Sequence, residues 1–331
     1  MKKKILALLM AASFGLVSCG QATTNESSNV SNDNSSNTNA QSEKKVVYTS
    51  FYPIYDLTKQ IAGDKFEVKA LSNLTTEAHD WEPSAKDIAK LDESELLITN
   101  GAGMESWVDA VKDSSKVEIL DTTENVDKIA RDNEEADHDH EDADHDHEEG
   151  EHHHHHHGKY DPHTWLAPEN GKLQAKAICD KLSEIDPDNK SYYEDNYKVV
   201  EKDLDSIISE YKDKFENAKN DKFVVPHEAF GYLCREFNLE QIPLTGLLST
   251  SEPDLKAMND VIEEVKNNDI NTIFYEEGGS DKSAKTIADE IGGKVDTLNT
   301  MEFVSDKQLE DEVHYQDILR DNLSHIYESL K

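Results

Sequence analysis

Histidine carries most of the chemistry this chain could do. Ten of its 15 histidines fall within Asp132–His157, beside twelve carboxylates. The tract reads Asp137-His138-Asp139-His140, then Asp144-His145-Asp146-His147, then His152, His153, His154, His155, His156 and His157 in a row. Imidazole suits borderline metals such as zinc, copper and nickel, and His-rich tracts are auxiliary metal binders. The tract holds nothing apolar enough for a core, so a disordered acidic loop inserted in a folded lobe is expected. A merely solvated loop would not explain the choice of histidine. An affinity tag would not sit mid-chain as the continuation of an acidic His repeat.

The remaining histidines are His79, His163, His227, His314 and His325. A lone histidine is more often structural than a ligand, but three of these fall where ligands gather. In open α/β sheets, ligands bind beyond the carboxyl ends of strands. His227 follows the apolar run ending at Pro226, and Glu302 lies just past the run ending at Leu298. His79 is in the loop after Leu71, and His163 lies in the turn Asp161-Pro162-His163-Thr164-Trp165 before a helical pattern. Three neutral imidazoles and one carboxylate form a closed tetrahedral set typical of zinc.

The elements that must position these residues alternate throughout. Strand-like runs at Lys45–Phe51, Phe66–Leu71, Leu96–Gly101 and Val117–Leu120 are separated by helical patterns at Ile54–Ala62, Ser84–Leu91 and Met104–Val111. Glu169–Leu182 reads as a helix. From about Asn189, Tyr193, Tyr197, Val200, Leu204, Ile207, Tyr211 and Phe215 recur at steps of three and four, the mark of one long helix. Strands at Lys222–Pro226, Ile270–Tyr275 and Lys294–Leu298 then alternate with helices at Phe230–Phe237, Leu255–Val265 and Ala284–Ile291, before a terminal helix at Gln308–Leu330. Such alternation implies βα units on mostly parallel sheets. The expected fold is therefore α/β: two Rossmann-like lobes, 45–187 and 219–331, joined by one long helix at 188–218.

The ends and the composition bound the setting. Met1-Lys2-Lys3-Lys4 precedes an apolar run, Ile5–Val17, too short to span a bilayer core, which needs about 20 helical residues. A basic start before a short apolar run reads as a secretory signal, residues 1–18. Leu16-Val17-Ser18-Cys19-Gly20 resembles the lipobox of bacterial lipoproteins, which makes Cys19 the expected lipidated residue. Residues 19–44 are rich in Ser, Asn, Thr and Gln and read as a flexible tether. Cys179 and Cys234 do not make a disulfide framework. The net charge of -36 argues against a nucleic-acid partner.

Several motifs together resemble the zinc- and manganese-specific substrate-binding proteins of bacterial ABC transporters. Glu77-Ala78-His79-Asp80-Trp81-Glu82-Pro83 resembles their first metal motif, and Gly101-Ala102-Gly103-Met104-Glu105-Ser106-Trp107 the loop that follows it. Asp161-Pro162-His163-Thr164-Trp165-Leu166 and Pro226-His227-Glu228-Ala229-Phe230-Gly231-Tyr232 are similar to the second and third. Leu298-Asn299-Thr300-Met301-Glu302 is similar to the fourth, where the family carries a carboxylate. There the expected proline two residues before the glutamate is replaced by Thr300, so Glu276 and Asp281 remain runners-up for the fourth ligand.

The resemblance covers the whole body after the tether. It implies a rigid connecting helix, a metal site in the cleft between lobes, and a monomer that hands its cargo to an ABC permease and its ATPase. It places the chain outside the cell membrane, lipid-anchored, on a surface that the lysine-rich start suits to Gram-positive bacteria. Manganese-binding relatives carry glutamate at the third position; His227 there favours zinc. The expectation is that His79 and His163 from one lobe meet His227 and Glu302 from the other, with Asp80, Asp161 and Glu228 available to orient the rings. A surface adhesin with structural zinc is an alternative. A secreted zinc hydrolase is disfavoured, because His227-Glu228 would need a histidine where Gly231 stands, and a fourth protein ligand closes the site.

Overall fold

The computed structural model describes residues 44–131, 158–247 and 253–331. The expected signal, Cys19, the tether up to Glu43 and the His-rich segment 132–157 lie outside the described residues.

The first lobe runs β1 (Lys45–Thr49), α1 (Tyr52–Ala62), β2 (Phe66–Ala70), α2 (Ala85–Leu91), β3 (Leu96–Thr99), α3 (Val108–Ser114) and β4 (Ile119–Asp121). The second runs β5 (Lys222–His227), α6 (Gly231–Phe237), β6 (Glu240–Thr245), α7 (Leu255–Asn267), β7 (Thr272–Glu276), α8 (Lys282–Ile291), β8 (Lys294–Leu298), α9 (Asp306–Glu310) and α10 (Tyr315–Ser329). Between them lie α4 (Pro168–Ile185) and α5 (Lys190–Glu216). Each lobe holds a four-stranded parallel sheet, ordered β2-β1-β3-β4 in one and β6-β5-β7-β8 in the other. The two orders are the same arrangement repeated. β3 is buried along its whole length, as expected of a strand covered on both faces.

The helix α5 has 27 residues, about 40 Å at 1.5 Å per residue. Its buried side chains, Tyr193, Val200, Leu204, Ile207, Tyr211 and Phe215, make one stripe. That stripe belongs to a single apolar cluster that also takes Val47, Ile54 and Leu96 from the first lobe, and Phe223, Phe274 and Leu323 from the second. Polar contacts cross the same seam. Trp165 Nε1 donates to Thr300 O at 2.7 Å, Val304 N to Leu74 O at 2.9 Å, and Tyr52 Oη to Val313 O at 2.5 Å.

Four element readings change. Helix α1 starts at Tyr52 instead of Ile54, with Pro53 in its first turn, where its missing N–H costs nothing. Helix α3 starts later than Met104, because the Glu105 carboxylate turns back to accept from Asn100 N (2.7 Å) and Gly101 N (2.9 Å). Gly101 is required in that turn: its φ is +91°, and a Cβ would stand 1.8 Å from Asp121 Oδ1. Strand β6 falls where the sequence reading placed no element; it holds Pro243 at the sheet edge, where a strand tolerates a missing N–H. The terminal helix is two helices. Glu312 takes a left-handed φ of 52°, and α10 restarts at His314, whose backbone is capped by Asp317.

Candidate metal centre

Each expected ligand is presented by a strand end or a loop with its own constraints. His227 is the last residue of β5, so the sheet itself aims it. His163 is fixed from both sides. Asn100, at the end of β3, donates to Pro162 O at 3.0 Å and accepts from Thr164 Oγ1 at 3.0 Å. Asp161 Oδ1 accepts from the His163 backbone N at 2.9 Å and lies 2.8 Å from its Nδ1. A carboxylate against Nδ1 assigns the proton there and leaves the Nε2 lone pair free to bind metal. His79 lies in the loop between β2 and α2, where Glu77 Oε1 accepts from Ala78 N (2.8 Å) and His79 N (3.2 Å). Glu302 follows β8 through Met301, held at a left-handed φ of 63° with its N–H donating to Asn299 Oδ1 at 2.7 Å.

These loops bring the four side chains together. One donor atom from each of His79, His163, His227 and Glu302 lies within 4.8 Å of all the others. Glu302 Oε1 stands 3.4 Å from His79 Nε2, 3.2 Å from His163 Nε2 and 3.4 Å from His227 Nε2. The Nε2 atoms of His79 and His163 are 3.1 Å apart. With zinc bonds of about 2.0–2.1 Å, donors at the corners of a tetrahedron stand about 3.3–3.4 Å from one another. Glu302 Oε1 and His227 Nε2 are buried and make no hydrogen bond, an arrangement that costs about 1–3 kcal/mol per group unless a cation satisfies both. His163 is fully buried and Glu302 is 3% exposed.

The electrostatics follow from that geometry. Burial opposes charge on His163, but the Asp161 and Glu302 carboxylates outweigh it and push the ring up to about 9. His227 is raised in the same way: burial resists, and Glu302 prevails. Burial alone would push Glu302 up; the facing rings, His79 foremost, hold it well below the usual carboxylate range.

A second group, Glu77, Glu276 and Glu302, shares Glu302 with the first. Burial, then the charge on Glu302, pushes the Glu276 carboxyl up to about 7 and raises Glu77. Glu276 Oε2 lies 3.7 Å from Nδ1 of His227, on the ring's outer side. Asp281 is in neither group and pairs with Lys285 at 2.5 Å. Of the candidate orienting carboxylates, Asp161 contacts its ring; Asp80 and Glu228 occupy exposed positions beside their histidines. His314 bonds Asp56 (3.1 Å) and His325 bonds Thr297 O (3.1 Å), both away from the cluster. Cys179 and Cys234 are buried and free. Sequence reasoning did not single out Glu77, Asn100 or Trp165; their signal is only their proximity in sequence to a ligand or to a strand end.

Two like α/β lobes on one stiff helix, with imidazoles and a carboxylate converging between them, define a cleft-type binding protein for a single borderline cation. Residues 47–329 match the family described as zinc-uptake complex component A, periplasmic, and the chain belongs to that family. It is a family of transport components, not of enzymes. The chain is 35% identical over 326 residues to the high-affinity zinc uptake system protein ZnuA of Bacillus subtilis (strain 168), covering 97% of this chain and 96% of that protein. It is 32% identical to the zinc-binding lipoprotein AdcA of Streptococcus pneumoniae over 84% of this chain, and spans about half of AdcA's length (54%). Among solved structures it is similar to a Zn(II)-bound mutant variant of AdcAII of Streptococcus pneumoniae, with a TM-score of 0.72, 30% identity, and 87% and 99% of the two chains covered.

Proposed function

We propose that His79, His163, His227 and Glu302 hold one zinc ion between the lobes, and that the chain captures zinc outside the cell for an ABC permease and its ATPase. The observation that carries this reading is the convergence of four donors at the 3.1–3.4 Å spacing of a tetrahedral zinc shell. Three nitrogen donors against one oxygen favour zinc over manganese, which prefers oxygen. Asp161 supports the site by fixing the His163 tautomer. Cys19 carries the lipid that anchors a monomeric protein; no helix among the described residues is long and apolar enough to cross a membrane. The His-rich segment 132–157 adds weaker binding.

Metal analysis of the purified protein under chelator competition tests the site. One zinc resists the chelator, and His227→Ala releases it; manganese retained in preference to zinc would overturn the assignment. Deleting the gene should stop growth on zinc-depleted medium and added zinc should restore it. An adhesin with structural zinc would leave growth unchanged. Cys19→Ser should shed the protein into the medium.

A further inference from the structure

The residue two places before Glu302 is used for its hydroxyl. Thr300 is 1% exposed, and its Oγ1 donates to Oε1 of Glu276, the last residue of β7. The other oxygen of Glu276 faces Nδ1 of His227 at 3.7 Å, while Nε2 of the same ring faces Glu302 Oε1 at 3.4 Å. The carbonyl of Thr300 accepts from Trp165 Nε1 at 2.7 Å, and the Trp165 ring lies 5.3 Å from that of His163. Thr300 therefore touches the surroundings of three of the four donors.

We propose that Thr300 and Glu276 act as a pair of positioning residues for His227, a role that rests on the four-residue zinc site. The hydroxyl fixes the rotation of the Glu276 carboxylate, so that Oε2 is presented to the Nδ1–H of His227. That selects the tautomer whose Nε2 lone pair points into the centre, the task Asp161 performs for His163 by direct contact. At 3.7 Å the carboxylate is within ion-pair range of Nδ1 but beyond a hydrogen bond, so its bias on the ring is electrostatic. A proline at 300, which the family motif would supply, has no hydroxyl to give.

The test uses the full chain and four variants: Thr300→Val, Thr300→Ser, Glu276→Gln and the double variant Thr300→Val/Glu276→Gln. Zinc affinity is read by chelator competition and the zinc-free melting temperature is read beside it. Outer-shell partners of metal ligands are worth about 10–100-fold in affinity. Thr300→Val should weaken zinc about 10-fold, and Thr300→Ser should restore it. Glu276→Gln places an amide donor against Nδ1–H, favours the wrong tautomer, and should weaken zinc by about 10-fold or more. The double variant should bind no more weakly than Glu276→Gln alone, because both changes break one connection.

Wild-type affinity in Thr300→Val, or penalties that add in the double variant, would overturn the pairing. Should Thr300→Val fail to fold, wild-type affinity in Glu276→Gln would overturn it instead. Complete loss of zinc in Glu276→Gln, matching His227→Ala, would make Glu276 a ligand and equally end the proposal. A wild-type chain without tight zinc would sink the four-residue site itself, a different failure.

Discussion

Zinc must displace protons to enter the proposed site, and the carboxylates around His163 set the direction of the effect. His163 stands at about 9 in the zinc-free protein, so near pH 7 its ring is about 99% protonated. Displacing that proton at pH 7 therefore weakens binding by on the order of 100-fold. Affinity for zinc should therefore climb about tenfold per pH unit between about 6.5 and 8.5. The slope should steepen at the acidic end, where His227, also raised, holds its own proton. Glu302, held well below its ordinary value, stays ionised throughout and adds nothing to the slope. Chelator competition at pH 6.5, 7.5 and 8.5 measures the climb. Calorimetry in two buffers of different protonation heat counts the protons released, at least about one at pH 7.5. An affinity that is flat over this range, or binding heat independent of buffer, would refute the reasoning. The same shift acts on the fold without zinc. A raised histidine contributes stability fully present below its unfolded value of about 6.5 and lost as pH rises through about 9. The zinc-free melting temperature should accordingly fall between those two pH values.

Further predictions address the scaffold and the segment beside it. Trp165→Phe leaves Thr300 O buried without its donor and should destabilise the zinc-free protein by about 1–3 kcal/mol, read by denaturant melts. Leu204→Ala on α5 removes packing shared by both lobes. It should cost about 2–5 kcal/mol in one cooperative transition, and two separate transitions would contradict the shared core. Excising 132–157 behind a short linker should leave the fold and one tight zinc, since the flanks are already joined by an Ala130–Tyr160 bridge and an Arg131 N to Lys159 O bond of 3.1 Å. Loss of the tight zinc in that variant would mean that the segment supplies ligands to the centre. His163→Ala should abolish tight binding, and retention under chelator would remove His163 from the site.

The βα alternation was legible because parallel strands buried on both faces are continuous apolar runs, and Leu96–Thr99 is a clear case. The long helix was legible from a stripe of six buried residues at regular spacing. What failed were positions where one side chain overrides local pattern. Glu105 takes the backbone donors that would otherwise begin a helix, and Glu312 accepts a left-handed φ that splits the terminal one. The edge strand Glu240–Thr245, with Pro243 inside it, was not read at all. At the centre, residue type and strand-end location were enough to nominate His79, His163, His227 and Glu302, which the fold then brings together. The onset of proton competition was not readable. An ordinary imidazole, near 6.5, would place that onset near pH 6, whereas Asp161 and Glu302 raise His163 above it, a consequence of tertiary contacts.

The apolar cluster that threads both lobes and α5 has a consequence for turnover of the protein itself. Lobes that share one interior cannot come apart singly, so a cation held at the seam steadies every part of the chain. At a free zinc concentration of about 100 times Kd that gain is about 2.7 kcal/mol, a hundredfold fewer globally opened molecules. A protease acting through global opening would cut the empty form faster than the loaded one at any core site, wherever its preferred sequence lies. Cargo and lifetime are thus coupled: the molecule carrying an ion outlasts the one that has delivered it.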